Sequence, residues 1–494
     1  MTLPRRFIAR SLITALALSL CAPLVVDAQP SANAAPIVVP TPAPMPTTSG
    51  TPIPYPAYGS PAPDVATQVQ KPSVPVSVTL DQAIDIAVAQ SPAFASDRAA
   101  FSEIAAKYWA AGEAFLPAIS ASGEIERSWG RGSSGASPSP SSGPSSANGY
   151  TTTEQGSVSI SELIFDGGRL ISALRSAKFA NVAGRDTLLR QLQTLAYTVA
   201  TNYYTLLEDN ATVASDNALV REFEINEQYV TAEIRTGAAP RSDLAAAQFE
   251  TAQARGSLVT AQGNQIAAEA TFATSLGLDA DTLIAPKPLE ATPPQVKTLS
   301  YQDSLKEALS LRPDFLAAQF TVDANKANLR YAELARVPTV TANGSVSTGR
   351  DLIQPNVMTA WQPGGSIGAT VSVPIFDQGI TDYNIHIAKF TLDQSVAALT
   401  ASRLQVQSDV RGGLANLISS RANLVQAQAE VTSAQVSLQA TQAQYKVGAS
   451  TITAIVTAEA NLATAQTAYV QALYGERLAE QQYTYALGSS DLTL

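Results

Sequence analysis

The chain carries the same landmarks twice. Ile164-Phe165-Asp166 returns as Ile375-Phe376-Asp377, Ala177-Lys178-Phe179 as Ala388-Lys389-Phe390, Gly237 as Gly448 and Leu276-Gly277 as Leu487-Gly488, each at a spacing of 211 residues. Four coincidences at one spacing imply two tandem structural units of about 210 residues. Whatever one unit builds, the fold must build twice. The expected units are 76–283 and 300–494, with a Pro-containing linker at 284–299 between them.

Inside each unit the hydrophobic period changes from two to about three and a half. Ile119, Ala121, Gly123 and Ile125 alternate with Ser120, Ser122, Glu124 and Glu126, and Val158 and Ile160 alternate with Ser157, Ser159 and Ser161. The second unit repeats this with Val340, Ala342, Gly344 and Val346, then Ile367, Ala369, Val371 and Val373. These segments predict one β-hairpin per unit, about 117–164 and about 338–375, apolar on one face only. After Asp377, the residues Val410, Leu417, Leu424, Val431, Leu438 and Tyr445 fall seven apart, with Gly413, Ser420, Ala427, Ala434 and Thr441 interleaved. That is a coiled-coil seam of large and small knobs. A helix from Gln378 to Lys446 would be roughly 100 Å long at about 1.5 Å per residue. The first unit keeps the register at Val199, Leu206, Val213, Val220 and Ile234, with Glu227 as a polar break.

Composition suits rods rather than thick cores, because aromatic residues are only 6% and the apolar content is mainly Ala, Val and Leu. One His (His386) and one Cys (Cys21) cannot make a His/Cys zinc centre or a disulfide framework, nor a Cys-His nucleophile pair in the mature protein. No catalytic, cofactor-binding or metal-ligating residue is therefore expected. The formal charge of -10 disfavours a nucleic-acid partner. Gly364-Gly365-Ser366-Ile367-Gly368 spells a G-x-S-x-G motif, but a nucleophile elbow needs a strand-turn-helix setting and here the motif opens a strand.

Arg5, Arg6 and Arg10, the apolar run from Ser11 to Leu20 and Val26-Asp27-Ala28 predict a secretory signal peptide at 1–28. Leu20, directly before Cys21, fits a lipoprotein signal poorly. Residues 29–75, rich in Pro, Ser and Thr, read as a disordered tether, and residues 131–150 as a flexible loop. No later segment reaches the roughly 18 to 20 continuous apolar residues of a spanning helix. Any crossing of a membrane must then use a closed barrel. Two hairpins supply only four strands, and closed membrane barrels begin at about eight, so the chain must oligomerise. Three copies give twelve strands with the polar face towards the lumen.

In its ordered landmarks the chain resembles the TolC-like outer-membrane efflux protein family. The resemblance runs from about Thr79 to Leu487. It is carried by Leu80-Asp81-Gln82-Ala83 with Ser91-Pro92, Leu305 to Ala308 with Arg312-Pro313, the Leu116-Pro117 and Val337-Pro338 steps into the hairpins, the Ile-Phe-Asp exits and Tyr445-Lys446-Val447-Gly448. It implies a homotrimer with a twelve-stranded barrel in outer-membrane lipid and a periplasmic helical tunnel. Its implied partners are a periplasmic adaptor and an inner-membrane transporter. The closed end would lie at the helix turns Arg235 to Asp243 and Lys446 to Thr453, with Gly237, Gly448 and Ser450 as tip and adaptor-contact candidates. Asp243 and Tyr445 match positions the family uses in a gate network. This chain has Ser450 where some members carry a bridging Arg, and Ala454 and Thr457 where some carry an acidic ring, which leaves Arg235 and Arg241 as alternative partners for Asp243. The expected role is a passive exit duct that opens by rearranging its coiled coils. The alternatives are a pore-less periplasmic scaffold or adaptor and an envelope hydrolase dependent on Ser366.

Overall fold

The computed structural model describes residues 76–131, 148–237, 240–288, 297–353 and 357–489. The expected signal peptide (1–28), the 29–75 tether and the central parts of the 131–150 loop and the 284–299 linker lie outside the described residues. In chain order β1 (Val76–Val78) leads to α1 (Leu80–Gln90), α2 (Pro92–Glu113), β2 (Ala118–Arg131), β3 (Asn148–Phe165), α3 (Arg169–Thr236) and α4 (Arg241–Ser275). Then β4 (Ile284–Pro286) precedes α5 (Tyr301–Leu311), α6 (Pro313–Glu333), β5 (Thr339–Ile353), the short β6 (Val357–Met358), β7 (Gln362–Ser372), α7 (Ile380–Lys446) and α8 (Ile452–Leu487). Matched helices ahead of the hairpins start 221 residues apart (Pro92, Pro313) and those after them 211 apart (Arg169, Ile380). The ten-residue difference lies in the longer connection between β2 and β3.

Three of the four recurring landmarks are helix boundaries, and the Ala-Lys-Phe pair lies inside α3 and α7. Asp166 accepts from the Gly168 and Leu170 backbone amides, and Asp377 accepts from those of Gly379 and Thr381. Each carboxylate thereby satisfies amides that the first turn leaves without partners. Gly379 is left-handed (φ 83), so α7 starts two residues later than the apolar pattern suggests. At the other end, a Cβ on Gly277 would meet the Gln90 carbonyl oxygen at 2.5 Å, and one on Gly488 the Arg312 Cα at 2.9 Å. The two Leu-Gly steps are thus places where one helix end presses on another's start.

Two apolar clusters anchor the middle of the chain. Ala83, Ala87, Val199, Tyr203, Leu206, Phe272 and Leu276 form one, and Tyr203 ties the parallel β1–β4 pair by donating to the Lys287 carbonyl at 2.9 Å. The other joins Ala308, Phe315, Val406, Val410, Leu417, Ala479 and Tyr483. Beside it Arg312, 2% exposed, binds Asp314 at 2.7 Å and Asp409 at 2.8 Å. Removing one partner of such a buried pair costs about 3–5 kcal/mol.

The long strands form one antiparallel path, β2-β3-β5-β7, with β6 on the far end of β5. Ser120, Ser159, Ser345 and Ser366 stand in one register row across all four strands. The strands run further than their alternation suggests: at the outer end Thr152, Thr153 and Glu154 oppose Leu352, Asp351 and Arg350, so polar residues occupy both faces and the period fades.

Candidate functional site

Two surfaces hold the candidate functional residues: the helix turns at one end and the strand faces at the other. At the turns Gly237 (φ 78) ends α3 and Gly448 (φ 76) follows α7. Each left-handed glycine terminates its helix as the residue type best able to do so. Both are exposed, and Ser450 is half-buried just before Thr451, which caps α8 by accepting from the Ala454 amide. Below the turns all four long helices share one apolar cluster of Val230, Ala247, Leu438, Ile452, Ile455 and Ala458, with Tyr445 packed on its edge.

The Tyr445 hydroxyl donates to Glu233 Oε2 at 2.6 Å, linking α7 to α3. Burial, Glu233 and the nearby Tyr229 and Asp243 together push its hydroxyl well above the usual tyrosine range. Asp243 stands in the first turn of α4 and accepts from the Ser242 hydroxyl at 3.2 Å. Arg235 and Arg241 are exposed and form no ion pair among the described residues. The structure therefore brings Tyr445 to Glu233, and neither arginine to Asp243. Glu233 escapes a reading by repeats, because the first-unit counterpart of Tyr445 is its neighbour Ile234. The signal that points to it is chemical: a seam tyrosine needs an acceptor on the facing helix.

Along the seam Val410 and Leu417 are fully buried and Leu438 nearly so, whereas Leu424 and Val431 are half-buried. Opposite this thinner stretch α8 presents Ala468, Ala472 and Gly475, leaving an open groove of about 400 Å³ that Ser420, Gln426 and Glu430 also line.

The strand faces differ sharply. On one, Ser120 pairs with Ser159 at 2.7 Å, Ser122 with Ser157 at 2.8 Å and Ser345 with Ser366 at 2.9 Å, and Ser161 donates to Asn343 at 3.0 Å. On the other, Ile119, Ile125, Val158, Ile160, Val346 and Ile367 are exposed. A sheet with one satisfied hydroxyl face and one bare apolar face fits between water and hydrocarbon. Ser366 lies inside β7 rather than on an elbow, and His386 lies on α7 beside Phe390. Among the described residues no cluster of potential metal ligands occurs, and no helix is long and apolar enough to cross a membrane.

Residues 83–278 and 304–489 match the family described as Outer membrane efflux protein. The chain belongs to that family. A relative, the outer membrane efflux protein BepC of Brucella suis biovar 1 (strain 1330), is 26% identical over 342 residues, which cover 67% of this chain and 71% of BepC. The fold is similar to that of CusC (TM-score 0.71, 20% identity, 84% of this chain and 93% of CusC). It is also similar to the open-state MtrE outer membrane channel of Neisseria gonorrhoeae (TM-score 0.68, 19% identity, 88% and 97%). As an outer membrane efflux protein the chain is a passive TolC-like channel of the outer membrane with a periplasmic part, and it is not an enzyme.

Proposed function

We propose that three copies close head to tail into one twelve-stranded barrel continued by a periplasmic helical tunnel. This tunnel would take cargo from an inner-membrane transporter through a periplasmic adaptor that docks at the turns around Gly237, Gly448 and Ser450. The observation that carries this reading is the open sheet: four long strands, outer edges on β2 and β7 unpaired among the described residues, hydroxyls on one face and exposed aliphatics on the other. Four strands fall short of the roughly eight needed to close a barrel, and an exposed edge invites pairing with another copy.

The helices support the same head-to-tail order. Within the chain α3 packs extensively on both α2 and α6, whereas its second-unit counterpart α7 packs extensively on α6 alone of that pair. Contact between α7 and the α2 of the next copy would complete the set, as pairing of β7 with the next β2 would repeat the β3–β5 pairing.

At the closed end, the Tyr445–Glu233 bond joins the coiled coil of the second unit to that of the first. Opening would break it as α7 and α8 swing away from α3. Reconstituted in planar bilayers, the protein should give discrete conductance steps, and a protein that assembles in lipid yet never conducts would overturn this function.

A further inference from the structure

Glu459 is a carboxylate in the wrong place for stability. It lies two turns into α8, 4% exposed, beside the apolar cluster that holds the four helices together below the turns. Its hydrogen-bond partner is Asn226 on α3, whose Nδ2 donates to Oε2 at 3.2 Å. The charged groups acting on it are all of its own sign: Glu222 from α3 and Glu250 from α4. Neither α7, packed along the other flank of α8, nor any described Lys or Arg supplies a compensating charge. Resting on the export-channel reading, we propose that Glu459 is a proton-operated latch, holding α8 against α3 when neutral and releasing it when ionised.

Protonated, the carboxyl keeps the Asn226 bond and suits its apolar neighbours. Ionised, it must either be desolvated beside two other carboxylates or move to water, and moving means separating α8 from α3. Burial first, and then Glu222, lifts its pKa from the ordinary 4.5 to about 7. The closed arrangement binds the proton more tightly than an arrangement in which Glu459 meets water, so the contribution to closure is complete below about pH 4.5 and is lost as pH rises through about 7. A pKa falling from about 7 when closed to the ordinary 4.5 in water, tenfold per unit, shifts the opening equilibrium roughly three-hundredfold over the whole titration.

The test uses the full-length protein in detergent and needs no conductance. Amide exchange of the first turns of α8, corrected for its intrinsic pH dependence, is followed from about pH 5.5 to about 8.5. Protection should fall about thirtyfold across this range, with a midpoint near 7. Glu459→Gln, which still accepts from Asn226 but never ionises, should keep the acidic level of protection throughout. Glu222→Gln, on the exposed flank of α3, should lower the midpoint. Flat protection in the wild-type chain, the same midpoint in Glu459→Gln, or an unmoved midpoint in Glu222→Gln would each overturn the latch. Bilayer conductance of the same samples is read separately: its absence at every pH defeats the channel reading, while the exchange data still decide the latch.

Discussion

Helices α3 and α7 are 68 and 67 residues long, occupy matching places in the two halves of the chain and are covered very differently. Five α7 residues at seven-residue multiples, Tyr383, Phe390, Leu404, Ile418 and Val425, are exposed. At four of the five matching positions of α3 the residue is covered: Ser172, Gln193 and Leu207 are buried and Phe179 stacks on Phe320 of α6 at 6.5 Å, while Ala214 is exposed. Helix α7 therefore has two apolar stripes, one facing α8 and one left exposed by the described residues of its own chain. An exposed apolar row of this length is what the proposed contact with another copy would cover. Under the proposed ring, this difference makes the chain half of each contact set, its second unit completed by the first unit of another copy.

Adjacent residues on α7 offer the harshest way to break this comparison. Leu417→Asp places a charge at a site with no exposure and should cost about 4 kcal/mol or more, leaving little folded protein. Ile418→Asp, on the bare stripe, should leave the monomer's thermal transition nearly unchanged yet prevent assembly, as read by light scattering in detergent. Equal behaviour of the two variants would erase the distinction between covered and uncovered stripes.

At the turns the effects are smaller. Tyr445→Phe removes a hydrogen bond to a charged acceptor worth about 1.5 kcal/mol, so the open fraction in planar bilayers should rise about tenfold. Unchanged conductance would remove Tyr445 from the gate. Asp243→Ala should raise the open fraction less, about twofold, because the carboxylate binds Ser242 and otherwise acts only at a distance, on the α4 dipole and the Tyr445 hydroxyl. Arg235→Ala and Arg241→Ala should fall within about 0.5 kcal/mol of wild type, and a large effect from either would show that the arginines find partners in the assembly.

The parts of the fold set by backbone punctuation and one-sided apolarity are legible in the residues themselves. Ile-Phe-Asp marks helix starts because an aspartate satisfies first-turn amides, and Gly237 and Gly448 mark ends because a left-handed residue is needed there. Strand alternation reads well where one face is apolar and fails near Glu154 and Arg350, where both faces are polar. In the candidate site the seam residues Val410 and Leu417 are readable from spacing. Glu233 and Glu459 are not, since a carboxylate's partner depends on which helices meet, and heptads do not specify that. The second stripe of α7 is hidden for a related reason: several of its residues lie one position after the first seam, and a single register masks them.

The most direct test of head-to-tail closure uses the counterpart of the Phe179–Phe320 contact. Phe390 matches Phe179, and Ala99 on the exposed face of α2 matches Phe320. With Ala99→Cys and Phe390→Cys in one chain, a short thiol cross-linker applied to intact membranes should yield a ladder ending at three chains, with neither single variant producing it. A doubly substituted protein that remains single chains after cross-linking, although each cysteine reacts with maleimide, would contradict the ring.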